Sequence, residues 1–163
     1  MLCLGPVGSG KTLLLKKLQH SENVDCTSSS VPTVGTNICT IKRQNFTMTI
    51  RELGGTIAPL WKQYFNGVLK VMYVVDASNL CQISAAGVLF YEVLANPLLK
   101  DAKFLLVLSK MDVSYRQMRN EALLMLQVSK LQHEVQQNIQ IVEASAISGV
   151  GCNEIYEWLM KMF

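Results

Sequence analysis

The segment Gly5-Pro6-Val7-Gly8-Ser9-Gly10-Lys11-Thr12 constrains this chain more than any other. It satisfies G-x-x-x-x-G-K-[ST] at every fixed position. Its glycines let the backbone curl with successive N–H groups facing inward, which makes a nest for phosphate oxygens. A helix starting at the end of the loop adds the positive end of its dipole. In that setting Gly8, Ser9 and Gly10 line the nest, Lys11 reaches the β- and γ-phosphates, and the Thr12 hydroxyl is a ligand for Mg²⁺. The motif demands a strand before it and a helix after it. Met1–Leu4 is apolar, and Leu14, Leu15 and Leu18 form a helical face. A nucleotide is the expected ligand.

The rest of the chain alternates strand and helix. Phe46, Met48 and Ile50 alternate with Thr47, Thr49 and Arg51, the period of a half-buried strand. Asn37–Arg43 reads as its hairpin partner, turning near Gln44-Asn45. Val71–Val75 and Phe104–Leu108 are continuous apolar runs that suit central strands covered on both faces. Ile139–Val142 reads as a further strand. Ile83–Leu94 and Met118–Leu126 read as helices, and Val128–Val135 either continues the second or forms a turn of its own. Ile155, Trp158, Leu159 and Met162 fall on one face of a C-terminal helix. The polar segment from about Ser21 to Ser30 reads as a mobile loop. The expected fold is α/β of the P-loop NTPase type: a mostly parallel six-stranded sheet with one antiparallel hairpin and helices on both faces.

Composition narrows the class. A chain of 163 residues is one domain's worth, so a single domain over 1–163 is expected. Half the residues are hydrophobic and 17% are charged, which excludes an intrinsically disordered chain. A net charge of +3 gives no ground for nucleic-acid binding. No apolar run reaches the roughly 18 residues of a membrane span. Only Met1, Leu2, Cys3 and Leu4 precede the glycine turn, so neither a secretory leader nor an N-terminal amphipathic helix is expected. Leu2 excludes N-myristoylation. The five cysteines form no C-x-x-C pair, which reads as buried or free thiols in a reducing cytoplasm. Cys3 is read as an apolar strand residue rather than a lipidation site. His20 and His133 have no metal-type spacing, and no G-x-S-x-G elbow occurs. Trp61 and Trp158 are read as packing residues.

Base selection rests on two segments that each follow an apolar run. Ser109-Lys110-Met111-Asp112 resembles the N-K-x-D guanine motif of small GTPases, with serine in place of asparagine. A carboxylate at Asp112 accepts from guanine N1–H and N2–H₂. Adenine offers neither donor there, so adenine leaves a charge unpaired. The stem of Lys110 covers the base plane. Glu143-Ala144-Ser145-Ala146 is similar to the family's S-A segment, with Ser145 and the Ala146 N–H at the base. Pro32-Thr33-Val34-Gly35-Thr36-Asn37, Arg51-Glu52-Leu53-Gly54-Gly55, Pro59-Leu60-Trp61-Lys62-Gln63-Tyr64-Phe65 and Val74-Val75-Asp76-Ala77-Ser78 resemble in order the P-T-x-G-x-N, W-D-V-G-G, P-L-W-x-x-Y-F and V-V-D-S segments of ADP-ribosylation factors and their relatives. The resemblance to an ADP-ribosylation-factor-like small GTPase covers almost the whole chain. It implies GTP or GDP and Mg²⁺ as cofactors. It also implies Thr33 as a metal-reaching threonine, Glu52 near the metal through water, and a γ-phosphate bond from the Gly55 N–H. Protein effectors and regulators, a monomer, and membrane traffic follow from the same resemblance, with recruitment to membranes through partners.

Four positions depart from the family's pattern. Thr56 stands where the family has a glutamine that orients the attacking water, and the run to Pro59 is shorter than usual. Slow or partner-dependent GTP hydrolysis is expected, and the competing reading is a guanine-nucleotide-binding scaffold that does not hydrolyse. Glu52 replaces an aspartate; its other reading is a surface glutamate beside Arg51. Ser109 replaces the asparagine that ties the base site to the phosphate loop, so a weaker tie and faster nucleotide exchange are expected. Thr36, Arg51 and Tyr64 occupy an aromatic effector patch of which only the tyrosine survives, so different partners are expected. A small-molecule kinase would need clustered arginines over the site, and Arg43, Arg51, Arg116 and Arg119 suggest no such lid.

Overall fold

The computed structural model describes residues 1–19, 24, 27–28, 31–43 and 46–161. The proposed loop at 21–30 lies almost wholly outside the described residues, as do the hairpin turn at Gln44-Asn45 and Met162. Six strands form one sheet in the order β2-β3-β1-β4-β5-β6. They are β1 (Leu2–Leu4), β2 (Thr36–Arg43), β3 (Phe46–Leu53), β4 (Lys70–Asp76), β5 (Lys103–Ser109) and β6 (Ile139–Glu143). Only β2 and β3 pair antiparallel; every other neighbour is parallel. The helices are α1 (Lys11–Gln19), α2 (Leu80–Leu94), α3 (Arg116–Met125), α4 (Val128–Glu134) and α5 (Cys152–Met160). A 3₁₀ segment, Gly55–Tyr64, follows β3.

Between their polar ends the central strands are apolar at every position, Val71–Val75 and Phe104–Leu108, because both faces are covered. Val71, Tyr73 and Val75 join Phe104, Leu106 and Leu108 in a cluster with α2, α3 and α4 residues such as Phe90, Ala122 and Leu131. Met72 and Val74 join Leu105 and Val107 in the opposite cluster, under Leu14, Leu15 and Leu18 of α1 and Ile155 and Trp158 of α5. Alternate residues of one strand therefore feed two different cores. In the first, the Phe90 ring lies 4.6 Å from Tyr73 and 6.1 Å from Phe104, separations at which offset and edge contacts add to burial.

The open question at Val128 resolves as two helices. Gln127 adopts φ 49°, a left-handed conformation that no helix propagates. It ends α3 and starts α4. The hairpin strands are longer than the sequence pattern indicates: β2 begins at Thr36, and β3 runs on past Arg51 to Leu53. That extension carries Glu52 into the sheet beside Cys3 of β1. The loops that follow β1, β4, β5 and β6 all leave from one end of the parallel sheet, where open α/β sheets bind ligands.

Candidate functional site

Gly5 leaves β1 at φ 143°, and a Cβ there would lie 2.2 Å from the Val74 carbonyl oxygen, so only glycine fits. The loop curls from that point into α1. The Lys11 ammonium donates to the carbonyls of Gly5 and Pro6, both at 2.8 Å, and to Ser9 Oγ at 3.4 Å. Burial lowers its pKa, and the neighbouring Cys3 and Glu52 oppose that shift. Gly8, Gly10, Lys11 and Thr12 line a cavity of about 460 Å³, together with Thr33, Glu52, Gly55, Ser109, Lys110, Asp112 and Ala146. That volume lies in the range of small-ligand sites.

At one end of the cavity three oxygen-bearing side chains converge. Thr12 Oγ1 and Thr33 Oγ1 lie 2.9 Å apart. Both hydroxyls reach Glu52 Oε1, Thr12 by a short hydrogen bond and Thr33 at 3.2 Å. Glu52 is completely buried, so the surface-glutamate reading is corrected. Its other oxygen accepts from Asn37 Nδ2 at 3.3 Å. Two hydroxyls and one carboxylate oxygen thus share this corner. A donor set of hydroxyl and carboxylate oxygens suits a hard cation, and these residues fit Mg²⁺. Among the described residues, no group of three or more His, Cys, Asp or Glu side chains forms an alternative metal site.

The Gly54-Gly55 pair is pressed between this corner and the phosphate loop. A Cβ on Gly55 would meet the Val7 nitrogen at 2.3 Å. Gly54 N–H donates to the Gly35 carbonyl at 2.8 Å, and the buried Trp61 indole donates to the Gly54 carbonyl at 3.0 Å. Trp61 is thus both a packing residue and the anchor of the segment that follows.

At the other end, Ser145 Oγ donates to Asp112 Oδ1 at 2.5 Å and accepts from the N–H groups of Ile147 and Ser148 at 3.2 and 3.1 Å. Ser145 is buried and does not line the cavity; its observed contact is with Asp112 rather than with the cavity space. Ala146 does line the cavity. The Ser109 hydroxyl lies 2.7 Å from the Ser9 carbonyl and 2.9 Å from that of Val75. The serine does reach the phosphate loop, through a single hydroxyl. One hydroxyl proton serves two carbonyls, where an amide would supply two protons. Lys110 takes φ 59°, and its ammonium lies 2.6 Å from Asp76 Oδ2.

Thr56 is exposed and does not line the cavity that Gly55 lines. Thr36 and Arg51 are exposed, on β2 and β3. The Arg51 guanidinium sits 5.5 Å over the Tyr64 ring. These two residues share a second cavity, of about 450 Å³, with Ile38 and Gln63; Thr36 lies outside it. Sequence reasoning assigned no role to Asn37 or Asp76. The signal for Asn37 lies in the hairpin register, which sets it opposite Glu52. Asp76 falls in the Val74–Ser78 segment, but no local pattern reveals its role, because its partner is 34 residues away in sequence.

The profile of the ADP-ribosylation factor family matches residues 1–163. The chain belongs to the ADP-ribosylation factor family. Among its relatives in that family, human ADP-ribosylation factor-like protein 16 is 34% identical, over 97% of this chain and 83% of the relative. ADP-ribosylation factor-like protein 1 of Saccharomyces cerevisiae is 32% identical, over 99% of this chain and 86% of the relative. The fold is that of a small GTPase: the Arl6 structure from Trypanosoma brucei, with bound nucleotide analogue GppNp, superimposes with a TM-score of 0.81 at 22% identity, covering 97% of this chain and 92% of that one. Among the described residues of this ADP-ribosylation factor family member, no helix is long and apolar enough to cross a membrane.

Proposed function

We propose that this chain is a guanine-nucleotide-dependent molecular switch, binding GTP or GDP with Mg²⁺ and offering a nucleotide-dependent surface to protein effectors and regulators. One observation carries the reading. A single cavity joins the phosphate loop, the Thr12–Thr33–Glu52 corner and Asp112 with Ala146. Phosphates belong on the loop, the cation at the hydroxyl and carboxylate oxygens, and the guanine edge at Asp112. Mg²⁺ supplies charge neutralisation of the phosphates when bound. Thr33 and the Gly55 N–H then both depend on the terminal phosphate, one through the cation and one directly. When that phosphate leaves, residues 31–36 and 55–64 lose a shared anchor and relax, which is the switch.

Residues 1–163 act as one nucleotide-binding domain, as a monomer in the cytoplasm, and recruitment to membranes runs through partners. The role is in membrane traffic, as for an ADP-ribosylation-factor-like protein. The effector surface includes Thr36 and the Arg51–Tyr64 pair, so its partners tolerate a cationic patch where relatives use aromatic anchors. Hydrolysis is slow or partner-dependent, because the exposed Thr56 hydroxyl has no amide to orient water. A scaffold that never hydrolyses is the second reading, favoured by the same Thr56 placement.

Two measurements test these readings. Nucleotide released from the purified protein and identified by chromatography should be GDP or GTP; ATP or ADP would reverse the assignment. Single-turnover hydrolysis of bound GTP then separates slow turnover from none, and turnover at rates usual for relatives would remove the argument from Thr56.

A further inference from the structure

Asp76 closes β4, and its side chain is only 7% exposed. Its two carboxylate oxygens do different jobs. Oδ1 accepts from the backbone N–H of Ser78 at 2.9 Å and from Ser78 Oγ at 2.6 Å, which shapes the turn into α2. Oδ2 is left for the Lys110 ammonium at 2.6 Å. Asp76 and Ser109 lie opposite each other in the β4–β5 register, so the carboxylate sits one residue from the start of the base-binding loop. Lys110 itself is in the left-handed region at φ 59°, a conformation unfavourable for a lysine that persists only when its surroundings over-determine it. Its stem borders the phosphate loop, with Cε 4.0 Å from where a Cβ on Gly10 would stand.

A half-exposed lysine ordinarily spreads over many rotamers, and each one frozen on binding costs entropy. Here one end of the side chain is set by a left-handed backbone and the other by a carboxylate that is itself fixed by Ser78. The stem between them lies along the cavity wall, where a flat ring can pack against it without reordering it. We infer that Asp76 is a positioning residue for nucleotide retention, acting through Lys110 by holding its ammonium so that the stem is preorganised against the base. This rests on the guanine-nucleotide reading above and assigns a role to a residue that need not touch the nucleotide. Ser78 serves Asp76 only through Oδ1, so removing its hydroxyl leaves the pair with Lys110 in place.

The experiment is release of a fluorescent GDP analogue from the full chain in Mg²⁺, in a double-mutant cycle of Asp76→Asn and Lys110→Met. Asp76→Asn keeps the shape and an oxygen for Ser78 while removing the charge. It should speed release about three- to tenfold, and Ser78→Ala should stay within about twofold of wild type. In the Lys110→Met background, which keeps an apolar stem but no ammonium, Asp76→Asn should change release by less than about 1.5-fold. An equal effect of Asp76→Asn in both backgrounds would mean a general structural role and overturn the inference, as would wild-type release from the single variant. If Asp76→Asn does not fold, Lys110→Met alone decides: faster release supports the pair's role and unchanged release removes it. Wild-type protein that retains no guanine nucleotide at all would instead defeat the parent reading and leave this cycle without a baseline.

Discussion

Ser109 makes two hydrogen bonds with one proton, to the carbonyls of Ser9 and Val75. Removing that hydroxyl leaves both carbonyls short of a donor at the seam between the base loop and the phosphate loop. Ser109→Ala should therefore weaken the seam by about 1 kcal/mol, read as roughly fivefold faster GDP release; unchanged release would show that the seam is held elsewhere. Ser109→Asn should gain no more than about the same amount, because the tie already exists. The cysteines give a second test at this scale. Burial raises the thiol pKa of Cys3 and Cys152, and burial followed by the Glu52 charge pushes Cys39 up to about 11. The thiolate is the reactive form, so these positions lack it at neutral pH. Cys81 is exposed. Site-resolved mass spectrometry after brief maleimide treatment at pH 7 should find Cys81 modified and Cys3, Cys39 and Cys152 protected until denaturant is added; modified Cys39 in the folded protein would contradict its burial on β2. Much of the site is legible residue by residue, because phosphate and base chemistry fix short spacings such as Gly5 to Thr12 and Ser109 to Asp112. The roles of Asn37 and Asp76 are not legible, because each acts through a partner that only the folded sheet brings near.

At the scale of elements, the parallel core is stapled to its last helix by one lysine. Lys70, the first residue of β4, sends its ammonium to the carbonyls of Trp158 at 3.1 Å, Leu159 at 3.0 Å and Lys161 at 2.7 Å. These are the carbonyls a helix end leaves without intrahelical donors. The ammonium also stands 5.1 Å from the Trp158 ring centroid. Lys70→Met preserves the stem but strands the carbonyls, and should destabilise the fold by about 1–3 kcal/mol in a urea melt. A midpoint equal to wild type would show that water serves those carbonyls as well. The elements themselves are legible because their patterns are strong: unbroken apolar runs at Val71–Val75 and Phe104–Leu108, alternation at Phe46–Ile50, and helical spacing after Gly10. Their ends are less so. β3 continues past Arg51 because Glu52 and Leu53 are held by β1 and β2 pairing rather than by their own apolar alternation. The break between α3 and α4 depends on the left-handed backbone of Gln127, a residue type with no marked preference for it.

For the whole molecule, the cavity lies at the meeting point of the segment before β2, the end of β3, the phosphate loop and the loops after β5 and β6, so a ligand there crosses more of the chain than any one element does. A ligand that binds only the folded state stabilises it by RT ln(1 + [L]/Kd), about 2.7 kcal/mol at a hundredfold excess over Kd. For a chain of 163 residues that corresponds to a rise in Tm of roughly 5–10 °C. On the proposed function, protein freed of nucleotide should gain a shift of that order from GDP with Mg²⁺ and a larger one from a non-hydrolysable GTP analogue with Mg²⁺, since only the latter anchors both Thr33 and Gly55. ATP with Mg²⁺ should give little, because adenine has no donor for Asp112. EDTA should cut the GTP-analogue shift more than the GDP shift, because on the proposed reading a cation held at the Thr12–Thr33–Glu52 corner would link it to the terminal phosphate. Equal shifts with ATP would remove Asp112 as the base selector, and equal EDTA effects on the two guanine nucleotides would detach Thr33 from the switch.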